Sequence, residues 1–129
     1  MVAGAVLDRQ GRVLIAQRPA GKHLSGRWEF PGGKVAAGET DAGALARELR
    51  EELGIDVLEQ EPFMSLVHEY PDRCIDLRLH LVRRIGGEPR SLDGQRLKWV
   101  RLEALGAEDL LEADRPFVEA LQRIGAAAR

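Results

Sequence analysis

Three glutamates within five residues, Glu48, Glu51 and Glu52, are the side chains of this sequence best suited to chemistry. If residues 41–53 form a helix, spacings of three and four place these carboxylates on one face. Like charges so placed destabilise an isolated helix by about 0.2–0.5 kcal/mol per pair. A divalent cation would reverse that sign, because carboxylate oxygens are preferred ligands of magnesium and manganese. On these residues alone, a solvated helix face remains the more common alternative.

The helix that must carry these acids has its own sequence signals. Leu45, Leu49 and Leu53 recur every four residues and form an apolar stripe. Gly54 is suited to the left-handed residue that ends a helix. Upstream, residues 31–33 read Pro-Gly-Gly, which favours unusual backbone angles or close backbone approach. This segment can present a carbonyl or an amide to a ligand beside the acidic helix.

The glycines, acids and arginine of this region follow one specific pattern. Its positions are Gly33, Glu39, Arg47, Glu48, Leu49, Glu51, Glu52, Gly54 and Ile55. Together they resemble the signature of the Nudix family, G-x5-E-x7-R-E-U-x-E-E-x-G-U with U aliphatic, without a mismatch. Residues 28–34, 70–73, 87–89 and 94–95 are similar, in order, to motifs of the MutT-like subfamily. The resemblance therefore covers nearly the whole chain.

The resemblance implies a metal site and a catalytic set. Magnesium or manganese is the expected ion, and its expected ligands are Glu48, Glu51, Glu52, the Gly33 carbonyl and Asp93. In the family, the position of Arg47 holds a carboxylate in place, and Glu39 is expected to pair with it as a clasp. Asp93 falls where the family takes a further carboxylate, as metal ligand or general base. The subfamily has Glu at that position, and Asp-Gly is equally typical of a plain turn.

Candidate substrate-binding residues complete the expected site. They are Arg18, His23, Phe30, Lys34, Tyr70 and Asp114. Arg18 and Lys34 are candidates for holding phosphates, and Phe30 and Tyr70 match aromatic positions near the nucleotide in MutT-like proteins. His23 also matches a nucleotide-contacting position, although a loop histidine is more often solvated. Core packing is an equally good account of Phe30.

Asp114 departs from the MutT-like pattern, which commonly has asparagine there. An asparagine both accepts and donates, so it can pair with the N7–H donor and O6 acceptor of an 8-oxopurine. An ionised aspartate only accepts. Either burial protonates Asp114 or the preferred base differs. A third possibility is that Asp114 simply caps the last helix.

Composition limits the class of protein and its partners. A chain of 129 residues with 44% hydrophobic and 31% charged residues suits one globular domain. The net charge of -2 gives no basic footprint for duplex nucleic acid. The single cysteine, Cys74, excludes an internal disulfide, suits a reducing cytoplasm, and is expected to be a buried filler. No signal peptide or membrane-spanning run is present, and we expect a cytoplasmic monomer.

The order of elements predicts an α/β protein. Residues 2–7 and 12–17 are expected to form a β-hairpin, and residues 63–70 to pair with a strand at 75–81. A further strand is expected at 97–101, and a second helix from Asp114 to Gly125 with a frayed tail at 126–129. The resemblance makes this a Nudix fold, a mixed β-sheet between helices, in a single domain 1–129 with the Nudix box at 33–55. Similar family members have several more residues before the first strand, so we expect a short first strand or an upstream start.

These features predict a metal-dependent nucleoside triphosphate pyrophosphohydrolase. The MutT-like resemblance implies 8-oxo-dGTP or dGTP as substrate, with water attacking the inner bridging phosphorus. The same chemistry on a pyrimidine triphosphate such as (d)CTP is the alternative. The Nudix part of a longer fused protein and a non-catalytic binding module are further alternatives. The complete set of acids argues against the last, because a scaffold has no need of clustered carboxylates.

Overall fold

The computed structural model describes residues 1–21 and 24–127, and within them it places seven strands in two sheets between two α-helices. The strands are β1 (Val2–Val6), β2 (Arg12–Gln17), β3 (Trp28–Glu29), β4 (Gly32–Gly33), β5 (Asp56–Tyr70), β6 (Arg73–Gly86) and β7 (Leu97–Arg101). The helices are α1 (Asp41–Leu53) and α2 (Arg115–Ala127), with 3-10 turns at Leu102–Ala107 and Glu112–Asp114. None of the helices in these described ranges is long and apolar enough to cross a membrane.

The larger sheet is mixed and has the order β4-β1-β6-β5. Its strand β1 runs parallel to β6, with Val2 opposite Arg78 and Val6 opposite Val82, and antiparallel to β4. Every residue of β1 is buried, as expected for a strand covered on both faces. The smaller sheet is antiparallel, with β2 between β3 and β7.

Helix α1 begins and ends where its sequence signals predict. The Thr40 hydroxyl caps its first turn by accepting a hydrogen bond from the Gly43 N–H at 3.0 Å. Gly54 ends it in the left-handed conformation, with a φ of 67°, and its N–H bonds the Arg50 carbonyl. The predicted helix over residues 41–53 is therefore confirmed.

Alternate residues of the strands face opposite helices. Leu77, Leu79 and Leu81 of β6 belong to the core cluster that contains Phe117 and Leu121 of α2. The other cluster packs the stripe of α1 against β1, β2 and β6; it contains Ala44, Leu45, Leu49, Leu53, Val2, Val6, Leu14 and Val82. Each fully buried leucine contributes about 1.5–3 kcal/mol relative to its exposed state. The sheets thus lie between the helices, which confirms the predicted α/β fold class.

Several local predictions were wrong. Strands β1 and β2 are present, but they belong to different sheets. They pair with each other only at an isolated bridge between Leu7 and Val13, so they do not form a regular hairpin. By contrast, the predicted pairing of strands at 63–70 and 75–81 is confirmed, and the two strands are longer than expected, at residues 56–70 and 73–86. Helix α2 runs past Gly125 to Ala127, because a glycine weakens a helix without stopping it. Cys74 is exposed beside the turn between β5 and β6 rather than buried.

Candidate active site

Gly33 brings the backbone of β4 against the acidic face of α1. A Cβ atom at this position would overlap the Glu48 carboxylate, and one at Gly32 would overlap the backbone of Val2. The Glu48 side chain is only 16% exposed. The two glycines are therefore required by close approach, as the sequence predicted, and the Gly33 backbone lies directly beside a carboxylate of the helix.

Arg47 connects the start of the Nudix box to its acids. Its guanidinium donates to both oxygens of Glu39, at 2.7 and 2.8 Å, so the predicted clasp is present. It also donates to Glu48 at 3.1 Å, to Glu51 at 3.4 Å and to the Lys34 carbonyl at 3.1 Å. The Arg47 hydrogen bond, helped by the Ala36 N–H, lowers the pKa of Glu39 to about 2. Arg47 thus fixes the loop before α1 and orients Glu48.

Glu52 lies next to Glu48 on the same helical face. Burial, together with the hydrogen bond and charge of Glu48, raises the pKa of Glu52 to about 8, with smaller contributions from the charges of Glu29 and Asp93. Two carboxylates that share a proton in this way form a site at which a divalent cation can replace that proton. The donor set present here therefore fits a hard cation.

The other predicted metal ligands are less closely gathered. Among residues 1–21 and 24–127, no three His, Cys, Asp or Glu side chains are arranged so as to hold a metal ion. Glu51 is 59% exposed and accepts from Arg47 Nη1, the same atom that donates to Glu48. The structure therefore brings Glu48, Glu52 and the Gly33 backbone together, places Asp93 close enough to influence Glu52, and links Glu51 to Glu48 through Arg47.

A cavity of about 650 Å³ opens beside this acidic site. Eight of the predicted residues line it: Arg18, Phe30, Gly33, Lys34, Glu52, Tyr70, Asp93 and Asp114. Its size is typical of small-molecule sites. Lys34 is exposed at its wall, as suits a phosphate-binding ammonium. His23 lies outside the described residues, and Arg47, Glu48 and Glu51 are absent from the cavity wall.

Asp114 is buried in the cavity wall, only 3% exposed. Its carboxyl group accepts a hydrogen bond from the backbone N–H of Phe30 at 3.2 Å. Burial, with a smaller contribution from the charge of Glu29, raises the pKa of Asp114 to about 8, although the Phe30 N–H and the charge of Arg18 act in the opposite direction. Asp114 lies in the 3-10 turn before α2 and bonds Phe30 rather than the first turn of that helix, so the capping hypothesis was wrong.

The aromatic candidates have structural contacts as well as cavity positions. The Phe30 side chain is buried against Phe117, with ring centroids 6.3 Å apart, so core packing is part of its role. The Tyr70 hydroxyl accepts a hydrogen bond from the Ala113 N–H at 3.3 Å. Tyr70 therefore holds the turn that carries Asp114.

Two cavity residues were missed as individual candidates. Glu29 accepts from Arg18 at 2.9 Å and raises the pKa of both Glu52 and Asp114. Gln95 is 8% exposed and contacts the loop of Asp93 and the end of α1. Both fell within motifs of the sequence resemblance, which was the available signal, but only tertiary contacts reveal what each side chain touches.

The fold and the site define an α/β enzyme with a carboxylate centre at the mouth of a nucleotide-sized cavity. The chain belongs to the Nudix family: the NUDIX domain model matches residues 2–120. It is a Nudix hydrolase, and such hydrolases generally need a divalent metal.

Individual relatives cover almost the whole chain. It is 38% identical over 124 residues to the 8-oxo-dGTP diphosphatase of Escherichia coli K12, covering 96% of each. It is 40% identical over 126 residues to the CTP pyrophosphohydrolase of the same organism, covering 98% of this chain and 93% of the relative. A solved structure from work on MutT of Aliivibrio salmonicida and Vibrio cholerae matches with a TM-score of 0.83 and 36% identity, covering 95% of each chain.

Proposed function

We propose that this protein is a metal-dependent nucleoside triphosphate pyrophosphohydrolase, which converts its substrate to the monophosphate and pyrophosphate. The observation that carries the proposal is the Glu48–Glu52 acid pair, set against Gly33 beside a cavity that also contains Asp114. One end of this arrangement suits a cation and phosphates, and the other suits the edge of a base. The relatives named as nucleotide hydrolases support the same assignment.

The metal in this proposal is magnesium or manganese. Its ligands would be the Gly33 carbonyl, Glu48, Glu51, Glu52 and Asp93. When bound, such an ion neutralises phosphate charge and lowers the pKa of water. Glu48 and Glu51 both accept from Arg47 in this structure, which places one guanidinium beside two of the proposed ligands.

The protein's own groups account for the remaining steps. Lys34 is exposed at the cavity and can hold phosphate oxygens, and Arg18 lines the same wall. Water forms the new bond to the inner bridging phosphorus, the P–O bond between that phosphorus and the bridging oxygen breaks, and the product on the far side of that bond leaves with the electron pair. Asp93 lines the cavity, where its carboxylate can accept the proton that the water loses.

The protonation state of Asp114 bears on the preferred base. With a pKa near 8 it is neutral at pH 7, so its carboxyl group can both donate and accept a hydrogen bond. That pattern suits the O6 and N7–H of an 8-oxopurine, which supports 8-oxo-dGTP as the substrate despite the missing asparagine.

A second candidate substrate is a pyrimidine triphosphate such as (d)CTP. An ionised Asp114 would only accept, which suits the exocyclic amine of cytosine, and Glu29 adds a further carboxylate to this cavity. The similarity to a CTP pyrophosphohydrolase favours keeping this candidate.

A substrate panel tests the proposal. With magnesium present, 8-oxo-dGTP, dGTP and dCTP are compared for release of monophosphate and pyrophosphate, in water labelled with heavy oxygen. We expect the label in only one of these two products. Orthophosphate as the main product would exclude a pyrophosphohydrolase. That the chain acts as a monomer in the cytoplasm and binds no duplex nucleic acid stays a prediction, and the Nudix part of a longer fused protein stays an alternative.

A further inference from the structure

Gln95 joins two segments that each carry a cavity carboxylate. Its side-chain oxygen accepts from the Ser91 hydroxyl at 2.9 Å and from the Asp93 backbone N–H at 3.0 Å. Its side-chain nitrogen donates to the Glu52 backbone carbonyl at 3.3 Å. One buried amide therefore contacts the backbone of both Asp93 and Glu52.

The loop that carries Asp93, residues 90–95, is also held to the end of α1 by backbone hydrogen bonds. The Arg90 N–H donates to the Leu53 carbonyl at 2.9 Å, and the Leu92 N–H donates to the Glu52 carbonyl at 3.1 Å. Carbonyls of the last helical turn have no partner within the helix, so these contacts satisfy acceptors that would otherwise need water. The loop is thereby held to the turn of the helix that carries Glu52.

Glutamine is the side chain that this bridge requires. The bridge needs an acceptor for Ser91 and Asp93 and a donor for Glu52, and an amide supplies both at one length. A glutamate would keep the acceptor and lose the donor, and a methionine of similar length would lose both. Burial makes the loss of either contact costly, because an unpaired buried polar group stays desolvated.

We propose that Gln95 is a positioning residue that holds Asp93 beside Glu52, so that the two carboxylates act as one unit. The inference rests on the proposed function. It assigns Gln95 no contact with substrate or with the metal. Its effect passes through the position of Asp93, and outer contacts of this kind typically change metal affinity or activity by about 10- to 100-fold.

The test is a double-mutant cycle with Gln95→Met, Asp93→Asn and the combined variant. Binding of Mn²⁺ alone is measured by electron paramagnetic resonance, and kcat and KM are measured on the nucleotide that the wild type prefers. We expect each single variant to weaken Mn²⁺ binding and lower kcat by about tenfold or more, with KM little changed. The double variant should lose no more Mn²⁺ affinity or kcat than the single variant with the larger loss, because both changes disrupt the same unit.

Gln122→Met is the matched control. Gln122 also donates to a backbone carbonyl, that of Leu102 at 3.0 Å, but it does not line the cavity. We expect its loss to leave Mn²⁺ affinity and kcat unchanged. Ser91→Ala, which removes one contact of the Gln95 oxygen, should give a smaller loss of about two- to tenfold. If Gln95→Met does not fold, Ser91→Ala replaces it in the double-mutant cycle with Asp93→Asn.

The outcomes separate this inference from the proposed function. Losses that multiply in the double variant, or an Asp93→Asn effect that Gln95→Met does not reproduce, overturn the positioning role. An unchanged Asp93→Asn variant also overturns it. A wild type that binds no Mn²⁺ and hydrolyses no nucleotide overturns the proposed function and this inference with it.

Discussion

Glu52 and Asp114 are two acids of one cavity whose pKa values burial raises in the same direction, each to about 8. The charge of Glu29 contributes to both shifts. A raised acid pKa means that the folded protein retains a proton that the unfolded chain has lost between about pH 4 and pH 8. The contribution of these two carboxyl groups to the free energy of unfolding is therefore present at low pH and is lost as the pH rises through that window. Keeping two such acids implies a use for them other than stability.

Glu52→Gln tests the proposed metal ligand. Glutamine resembles the neutral form of Glu52, so the fold should be kept at pH 7. Turnover with magnesium should fall by about 100-fold or more, the scale of a lost metal or electrostatic contact. The matched control is Glu59→Gln, at an exposed position of β5. Near-native turnover of Glu52→Gln would remove this residue from the site.

Asp114→Asn tests the base reader. Above pH 8 the wild-type carboxylate is ionised and faces O6 with a lone pair, whereas asparagine still donates. We therefore expect the variant to raise selectivity for 8-oxo-dGTP over dCTP in kcat/KM by about tenfold or more at pH 9, at 1.4 kcal/mol per tenfold. The difference should be smaller at pH 7, where Asp114 is neutral.

The pH profile supplies the control for this variant. Wild-type activity on 8-oxo-dGTP should decline as pH rises through about 8, and that of Asp114→Asn should not. If only thermal stability changes and every substrate ratio stays the same, Asp114 is not the base reader.

Spacing alone predicted site residues only where the relevant contacts are local, and the distant cavity residues were predicted from the family resemblance. The acids of α1 follow from helical spacing, and Glu39 and Arg47 follow from a signature that spans residues 33–55. The influence of Glu29 on Asp114 joins residues 85 positions apart, which no spacing rule reveals (114 minus 29). The bridge from Gln95 to Glu52 likewise depends on how a loop docks on a helix.

At the scale of elements, the contact between β4 and α1 sets the site. Gly33 pairs with Val2 in the sheet and faces Glu48 of the helix, so its backbone is confined on both sides. A methyl group there must displace the Glu48 carboxylate from its present position. A displacement of about 1 Å at a catalytic centre can cost roughly 100-fold in rate.

Gly33→Ala should therefore lower kcat by about tenfold or more and also lower the free energy of unfolding. The measurements are steady-state kinetics and urea denaturation. Gly86→Ala is the matched control, because a Cβ atom at this strand glycine meets only ordinary contacts of 3.7–4.0 Å. Equal behaviour of the two variants would show that close approach at Gly33 does not matter for activity.

Helix α1 was predictable because its leucine stripe and the glycine that ends it lie within about ten residues of one another. The hairpin between β1 and β2 was not, because an alternating pattern predicts a strand but does not say which neighbour it pairs with. Val2 pairs with Gly33 and Arg78, far along the chain, and that choice is made by the whole core.

At the scale of the whole molecule, the apolar packing of α1 does not depend on a cation. Leu45, Leu49 and Leu53 are fully buried, and Arg47 ties the preceding loop to the helix. Treatment with a chelator should therefore abolish hydrolysis and leave the far-ultraviolet circular dichroism unchanged. A collapse of the helical signal would instead identify a structural metal.

The enclosed position of β1 also governs how the chain can be assembled during synthesis. This strand leaves the ribosome before either of its neighbours, Gly32–Gly33 and residues 78–82, because both lie later in the chain. Contacts of such sequence separation form slowly, because loop closure must precede them. Until residue 82 has left the ribosome, the segment Val2–Val6 has no parallel partner, and its apolar side chains stay open to chaperones or to other nascent chains. Because α1 packs on Val2 and Val6, the acidic helix can reach its working position only late in biogenesis.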